Sequence, residues 1–302
     1  MDFGKVTTAD LNLVDHQLPP DAASVSAVLK KSSKTDQTSY FVGCAKWGRD
    51  EWKGLIYPLK TKAADFLNEY AKQFNAIELN ASFYKVPNES SVKSWRARVE
   101  ANATEFTFVP KFPKSISHFK KLREAEEVTE RFVRTISGLG EHLGPCFLQL
   151  SDSFAPKDFG VLENYLRALP ADFRVFVELR NSGWFSDPTV RAEVIKLFTS
   201  LNVGLVITDT SGRRDLLHME LTTPEAFIRF EGNGKEMMLS DGKRIEEWVN
   251  RIKVWVEQGL TSVYFFLHQL DEADTPKLAS ITIDELNKQL NAGLAPVQFI
   301  SV

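Results

Sequence analysis

The chain has 302 residues, of which 43% are hydrophobic and 25% are charged, and it contains 22 phenylalanines. This composition is typical of a folded globular protein and argues against a largely disordered chain. The formal net charge of −3 excludes a globally basic surface, so any contact with nucleic acid would need a local basic patch.

The first 39 residues are polar, contain Pro19-Pro20 and end in a run rich in Lys, Ser and Thr. A short helix is predicted within them over residues 21–31. We therefore predict two parts, a polar N-terminal extension over residues 1–39 and a single barrel domain over residues 40–302. The extension is expected to be dispensable for folding because it precedes the first predicted strand.

From residue 40 onward, apolar runs typical of strands alternate with segments that have helical spacing. This alternation predicts parallel strands, and eight of them predict an α/β fold, a closed (β/α)8 barrel of the TIM type. A segment with little helical signal follows the sixth strand, over residues 211–224. The predicted strands are 40–44, a strand around Glu78, 105–111, 146–150, 174–180, 203–209, 226–231 and 262–268. The predicted helices are 62–73, 89–99, 124–137, 157–169, 187–201, 241–258 and 284–290.

Cys44 and Cys146 lie inside predicted strands and have no closely spaced companions of the kind that ligate metals. They are expected to be reduced structural thiols, which favours a cytoplasmic location. The N-terminus has no basic segment followed by an apolar run, and no stretch of about 18 apolar residues occurs. Secretion and membrane insertion are therefore not expected.

The strand around Glu78 carries a carboxylate on a buried face. Alternate residues of a strand point to opposite faces, so Glu78 shares a face with Asn80 and not with Ile77 or Leu79. Burying an unpaired carboxylate costs free energy, so Glu78 is expected to have either a positively charged or hydrogen-bonding partner or a functional role. The same parity, applied to every strand, places polar residues at the C-terminal mouth, where barrel enzymes build their active sites. This inward set comprises Glu78, Asn80, Lys111, Gln149, Glu178, Arg180, Asp209, Arg229, Glu231 and His268.

The predicted site combines acids, bases and cations. An anion could be held by the basic residues while Glu78 or Glu178 acts as base or acid. Those two carboxylates could also form the pair of a glycoside hydrolase. An open alternative is that the charged residues only pair with one another in a structural network. The candidate catalytic residues are Glu78, Glu178, Asp209 and His268. The candidate substrate-binding residues are Lys46, Trp47, Asn80, Tyr84, Lys111, His118, Gln149, Arg180, Trp184, Arg229 and Glu231.

Some members of this set lie outside the strands. His118 is interpreted as a loop acid or base or as an anion ligand, with a solvated loop histidine as the alternative. Trp47, Tyr84 and Trp184 follow strand ends and could stack on a sugar ring or a base, or could simply cap the barrel.

No cofactor is identified from the sequence. It contains no Walker-type phosphate loop, no Gly-x-Gly-x-x-Gly that opens a helix and no nucleophile elbow. The carboxylates and His268 could ligate a divalent metal, but the interleaved Lys and Arg residues would compete for those carboxylates, so a metal is not favoured.

An ordered series of motifs runs through the predicted barrel. It consists of Gly43, Trp47, Phe74-Asn75, Glu78-Leu79-Asn80, Ser82-Phe83-Tyr84, Lys111, His118, Leu143-Gly144-Pro145, Gln149-Leu150, Ser153-Phe154, Glu178, Arg180, Trp184-Phe185, Asp209-Thr210, Arg229 and Gly232. In this order the motifs resemble those of the YecE-like proteins, a family of unknown function also called domain-of-unknown-function family 72. The resemblance covers roughly residues 40–290. It implies a TIM barrel and no established reaction.

Three departures from the family pattern fall at the mouth. Glu231-Gly232 stands where His-Gly is usual, Leu267-His268-Gln269 replaces an Asn-rich strand end, and Asn181 follows Arg180 where His is common. A ligand of the family would therefore not transfer directly to this chain.

The sequence predicts an enzyme, a hydrolase or lyase, that acts on a polar or anionic substrate such as a phosphoester or sugar. One alternative is a non-catalytic barrel that binds an anionic or nucleic-acid ligand. Another is a scaffold that binds a partner through residues 1–39. A deep mouth cavity with converging charges would favour the first two readings. A filled mouth with an apolar external patch would favour the scaffold.

Overall fold

The computed structural model describes residues 4, 6–7, 9–31, 37–103 and 105–300. Within these residues eight strands alternate with helices, as the sequence predicts. The strands are β1 Ser39–Cys44, β2 Ala76–Leu79, β3 Thr107–Pro110, β4 Cys146–Leu150, β5 Val175–Leu179, β6 Gly204–Asp209, β7 Glu225–Glu231 and β8 Ser262–His268. The α-helices are α1 Val25–Lys30, α2 Phe66–Ala71, α3 Ala81–Tyr84, α4 Glu89–Glu100, α5 Glu126–Ile136, α6 Phe159–Arg167, α7 Gly183–Ser186, α8 Pro188–Leu201, α9 Met238–Gln258 and α10 Thr275–Leu290.

The strands form a parallel barrel with two irregular joins. A continuous ladder runs in the order β1-β8-β7-β6-β5-β4, and β2 pairs with β3. Between β3 and β4, the Gly144 N–H donates to the Phe108 carbonyl and the Phe112 N–H donates to the Phe147 carbonyl. These bonds connect the two ladders on one side, and the fold is the predicted (β/α)8 barrel.

Side chains replace the ladder at the β1–β2 join. The Asn75 side chain accepts from the Val42 N–H at 2.9 Å and donates to the Tyr40 carbonyl at 2.7 Å. Nearby, the Tyr70 hydroxyl accepts from the Cys44 N–H at 2.7 Å and donates to the Ala76 carbonyl at 2.9 Å. These bonds satisfy strand groups that a regular ladder would otherwise pair.

Gly43 permits the close approach of β1 to β2. A Cβ atom at this position would lie 1.9 Å from the Ala76 carbonyl oxygen, so any other residue would force the strands apart. The glycine is therefore required by the packing of the join and not by an unusual φ angle.

Aromatic side chains fill the interior below the mouth. Phe147, Phe176, Phe227, Tyr264 and Phe266 are buried there, and their ring centroids lie about 5–6 Å apart, as in the 5.2 Å contact of Phe227 with Phe266. Such packing is the usual filling of a TIM-barrel interior. The polar residues at the upper ends of the strands consequently rest on an apolar floor.

Two predicted helices differ clearly in extent from the structure, and the short helices α3 and α7 were not predicted. The predicted helix over residues 62–73 is a 3₁₀ turn, Ala63–Asp65, followed by α2. The last helix begins at Thr275, nine residues before the predicted start. Pro276 lies in its first turn, where the missing N–H costs nothing, so the proline begins this helix and does not interrupt it. None of the helices in the described residues is both long and apolar enough to cross a bilayer.

The N-terminal segment packs on the barrel through α1. The β6–β7 connection contains a 3₁₀ helix, Ser211–Leu216, and no α-helix. Val25 and Leu29 of α1 are buried in the same core cluster as Met219 of this connection and Trp255 of α9. Helix α1 therefore covers a connection that lacks its own α-helix.

Polar contacts reinforce this packing. The Trp255 indole N–H donates to Asp21 Oδ2 at 3.0 Å, and Asp21 also pairs with Arg251. The Ala22 N–H donates to the Met219 carbonyl. The two-part division of the chain remains a prediction, but these contacts argue against a dispensable extension.

Leu29→Ala is expected to lower the free energy of unfolding by about 2 kcal/mol, because Leu29 is 1% exposed and truncation leaves a cavity. The matched control is Leu13→Ala in the same segment, since Leu13 is 84% exposed and its truncation should cost less than about 0.5 kcal/mol. Urea unfolding of both variants makes the comparison. Equal stability of the two would show that the N-terminal segment is an appendage.

Candidate active site

A cavity of about 300 Å³ opens at the C-terminal ends of the strands. Nine of the predicted site residues line it, so most of the residues that strand parity directs inward lie at one mouth. The lining residues are Ala45, Lys46, Asn80, Phe83, Tyr84, Lys111, Gln149, Arg180, Thr208, Arg229, Glu231, His268 and Glu272.

Arg229, on β7, connects two buried carboxylates across the barrel. Its Nε donates to Glu78 Oε2 at 2.8 Å and its Nη2 donates to Glu78 Oε1 at 2.9 Å, a bidentate pair. Its Nη1 donates to Glu178 Oε2 at 3.0 Å. All three guanidinium nitrogens are thus engaged with carboxylates, so Arg229 acts as the centre of a network.

Each carboxylate has further donors. Glu78 Oε1 accepts from the Asn80 amide at 2.9 Å, and Glu78 Oε2 lies 3.2 Å from His268 Nε2. Glu178 accepts from Gln149 Nε2 and from Arg180 Nε, both at 2.7 Å. The two acids lie beneath the cavity wall and have most of their acceptor positions filled.

These contacts keep both acids ionised. Burial alone would raise the pKa of Glu78, but Arg229 and His268 outweigh it and hold the pKa well below its usual range. Burial likewise opposes ionisation of Glu178, yet Arg180, Arg229 and Lys111 lower its pKa to about 2. A glycoside hydrolase needs one carboxyl group with a raised pKa as its acid. The pair therefore does not fit that chemistry.

Lys111 follows β3 and lines the cavity, although only 6% of it is exposed. Its Nζ lies 4.4 Å from the ring centroid of Phe83 and 5.4 Å from that of Phe147. Burial, with Arg229 as the next cause, lowers the pKa of the amine to about 7. The cavity wall thus contains an amine that exchanges its proton near neutral pH.

His118 lies beside the cavity and outside its lining. The ring packs edge-on against Phe83, with centroids 5.2 Å apart, and Nδ1 lies 2.9 Å from Ser117 Oγ. Burial, followed by the charges of Lys111 and Arg180, lowers its pKa to about 4. The imidazole is therefore neutral at physiological pH and a poor anion ligand.

The prediction that Asp209 points into the mouth is wrong. Asp209 is fully buried on the outer face of β6, where it accepts from Arg244 at 2.8 Å and from the Trp248 indole N–H at 2.7 Å. Arg214 is a third partner. The inward residue of β6 is Thr208, which pairs in register with Arg229 of β7. Asp209 therefore anchors α9 and takes no part in the cavity.

Two predicted aromatic residues also lie outside the cavity lining. Trp184 is fully buried and its indole N–H donates to the Phe154 carbonyl at 2.9 Å. Trp47 packs edge-on against Trp95. Both tryptophans are packing residues, because their contacts are with other residues of the protein and not with the cavity. Tyr84, by contrast, is 68% exposed and lines the cavity rim.

Sequence reasoning missed four lining residues, Ala45, Phe83, Thr208 and Glu272. Phe83 lies inside the Ser82-Phe83-Tyr84 motif, and Thr208 directly precedes Asp209, so correct parity on β6 would have found it. The Thr208 hydroxyl is buried without a hydrogen-bond partner among the described residues. A buried polar atom of this kind normally has a partner, which points to one supplied by a ligand or water.

The mouth does not fit a divalent metal through the predicted acids. Glu78, Glu178 and Asp209 all accept hydrogen bonds from arginines, which take the place of an ion. Among the described residues, Glu100, Glu141 and His142 come close enough to share an ion, but they lie outside the cavity lining.

A model of the family described as protein of unknown function DUF72 matches residues 41–298, a range that includes the whole cavity wall. The UPF0759 protein YecE of Escherichia coli strain K12 is 28% identical over 268 residues, covering 83% of this chain and 93% of that protein. The protein of the same name from E. coli O157:H7 matches equally.

Solved structures of similar shape agree. A DUF72 family protein of Enterococcus faecalis V583 superposes with a TM-score of 0.64 at 19% identity, covering 84% of this chain and 99% of that one. A DUF72 family protein of Thermotoga maritima MSB8 gives a TM-score of 0.60 at 21% identity, covering 83% and 100%. At these identities the likeness establishes the fold.

Proposed function

The chain belongs to the DUF72 family, and from that premise we propose that it is an enzyme, a hydrolase or lyase, that binds a small polar anion at the barrel mouth. The observation that carries the proposal is the Lys111 amine. It faces the cavity, is nearly buried, and has no carboxylate partner within 4.0 Å among the described residues.

One side of the cavity suits an anion. Lys111 after β3 and Arg180 after β5 contribute positive charge there, while Gln149 of β4 lies between them in strand order. Thr208 adds a hydroxyl that has no hydrogen-bond partner among the described residues. A phosphate or carboxylate group in this position would receive charge-assisted hydrogen bonds and would give the Thr208 hydroxyl an acceptor.

The opposite side suits hydroxyl groups. Glu231 ends β7, His268 ends β8 and Glu272 follows β8, and all three line the cavity. Carboxylates accept hydrogen bonds from sugar or polyol hydroxyls, and His268 can carry a proton. The division of charge between the two sides supports a substrate with an anionic end and a hydroxylated end, such as a sugar phosphate or a sugar acid.

Removing the amine should weaken anion binding. Lys111→Met is expected to weaken binding of glycerol 3-phosphate or a sugar phosphate about 10-fold or more, because a hydrogen bond to a charged group contributes about 1.5–3 kcal/mol. Lys253→Met, on the exposed surface of α9, is the matched control and should bind as the wild type does. The measurement is the ligand-dependent shift in melting temperature for all three proteins.

Each outcome bears on the proposal. An anion response that survives unchanged in Lys111→Met would overturn the assignment of the cavity. A response confined to nucleic acid would favour the alternative of a nucleic-acid-binding barrel. Incubation of a bound ligand with the protein, followed by NMR for product, separates an enzyme from a non-catalytic binder.

A cytoplasmic location is part of the same proposal. Cys44 and Cys146 are both free and buried, as reduced structural thiols would be. Burial raises the pKa of each thiol well above its usual value, so neither is a reactive thiolate. This supports a reducing compartment and leaves the cysteines out of the chemistry.

A further inference from the structure

The surroundings of Lys111 leave its amine unusually available. Its neighbours on the apolar side are the rings of Phe83 and Phe147. The two nearest acids, Glu78 and Glu178, are bonded to Arg229 instead. Among the described residues, Lys111 Nζ has neither an ion pair within 4.0 Å nor a hydrogen bond. A buried lysine with a carboxylate partner would be a structural cation, and Lys111 lacks that partner.

The charges around the amine also favour its neutral form. Burial is the largest influence, and the nearby Arg229 and Arg180 lower the pKa further, whereas Glu78 and Glu178 raise it, for a value of about 7. His118, which also faces Lys111, is neutral near pH 7 and adds no charge. At pH 7 about half of such an amine is unprotonated, compared with about one in 2,500 for a lysine of ordinary pKa.

We propose that Lys111 Nζ is a nucleophile that forms an imine with the carbonyl carbon of a small anionic aldehyde or ketone. The inference rests on the proposed function, since it takes the anion-binding mouth as given and names the substrate class. Lysine amines that are desolvated or lie near other cations are the ones that act in this way. Lys111 meets both conditions.

Imine formation replaces the carbonyl oxygen with the lysine nitrogen and releases one water. The nitrogen lone pair attacks the carbonyl carbon, a C–N bond forms, and the carbonyl oxygen takes a proton. That oxygen then leaves as water with both protons of the original amine, and the product is a C=N bond. Protonation of the imine nitrogen by solvent makes the imine carbon electron-poor. A C–H or C–C bond on the neighbouring α carbon can then break: its electron pair forms a C=C bond with the imine carbon, and the π pair of the C=N bond moves to nitrogen. This is lyase chemistry and not hydrolysis.

The other wall residues have complementary positions. Arg180, Gln149 and Thr208 line the side of the cavity that suits the anionic group. His268 and Glu231 lie on the opposite side, where a proton from the substrate could be received. The rings of Phe83 and Phe147 lie against the amine on its apolar side and leave it open toward the cavity, where a substrate would bind.

Borohydride trapping tests the proposal. The purified protein is incubated at pH 7.5 with dihydroxyacetone phosphate or pyruvate and then reduced, so that hydride addition to the imine carbon leaves a stable secondary amine. Peptide mass spectrometry locates the label. We expect labelling of Lys111 to exceed that of Lys114, a nearby lysine that lies over the exposed ring of Tyr84, by about 100-fold or more, because imine formation needs the neutral amine and burial lowers the pKa of Lys111 to about 7.

Lys111→Arg separates the two proposals, because arginine keeps the positive charge and cannot form an imine. Glycerol 3-phosphate and lactate, which match the two probes but lack the carbonyl, report anion binding alone. Binding of these analogues to the wild type, with Lys111 unlabelled by either carbonyl probe, would overturn the imine and leave the proposed function standing. If the analogues do not bind and Lys111 is not labelled, the proposed function and the imine are both overturned. If Lys111 is labelled and the matching analogue suppresses the labelling, both proposals are supported.

Discussion

Replacing Arg229 with methionine should destabilise the protein by about 3–5 kcal/mol, the usual cost when one partner of a buried ion pair is removed. The change leaves the Glu78 and Glu178 carboxylates buried without the guanidinium that bonds to both. Both acids would then bind protons or draw water into the barrel mouth. Chemical denaturation measures the loss, with the dependence of the free energy of unfolding on denaturant concentration fitted as one shared value for the variants.

The matched control is Arg167→Met on α6. Arg167 pairs with Glu163 four residues earlier, and both side chains are substantially exposed. An exposed pair of this kind contributes about 0–1 kcal/mol, so the same substitution should be nearly silent. Similar losses in the two variants would mean that Arg229 is not the centre of a buried network.

Glu78→Gln should cost about 3 kcal/mol, at the lower end of the same range, because Glu178 still pairs with Arg229. Glutamine keeps the shape of the side chain but loses the charge. One of its two terminal atoms becomes a donor that faces other donors, from Arg229 or Asn80. Thermal unfolding measures the loss.

The same variant separates a structural from a catalytic role for Glu78. Glu78 lies beneath the cavity lining, so molecules that remain folded should still respond to an anionic ligand. A variant that melts like the wild type yet no longer responds to ligand would restore the interpretation of Glu78 as a catalytic residue. The two readouts on one protein therefore distinguish the alternatives.

Strand parity predicted much of the mouth because most strands have two chemically different faces. On β5, for example, Val177 and Leu179 face the helices while Glu178 faces inward. Arg229 on β7 follows the same rule between Ile228 and Phe230. Where apolar residues flank a charged one in this way, the alternation itself fixes the direction of the charge.

The rule failed on β6 because both faces of that strand are apolar for most of its length. Leu205 and Ile207 pack outward and Val206 packs inward, so only the last residues carry a polar signal. Asp209 finds its partners in Arg244 and Trp248 of α9, which lie 35 and 39 residues later in the chain. Partners so distant in sequence leave no local pattern to read.

The sequence also could not predict which cation pairs with which carboxylate in the mouth. Lys111, Arg180 and Arg229 are all basic residues at strand ends, and each could have neutralised Glu78 or Glu178. In the folded barrel Arg229 pairs with both Glu78 and Glu178. Glu178 also pairs with Arg180. Lys111 is the cation left without a carboxylate partner within 4.0 Å among the described residues, and this distinguishes its role from that of the two arginines.

The central claim is that the mouth contains a reactive amine and is not only a network of ion pairs. An NMR titration of the Lys111 side chain in the free protein, with its signal assigned by its loss in Lys111→Arg, tests this most directly. The structure predicts a midpoint at a pH of about 7. A midpoint near the ordinary lysine value of about 10.4 would contradict the account, because the amine would then be one more structural cation.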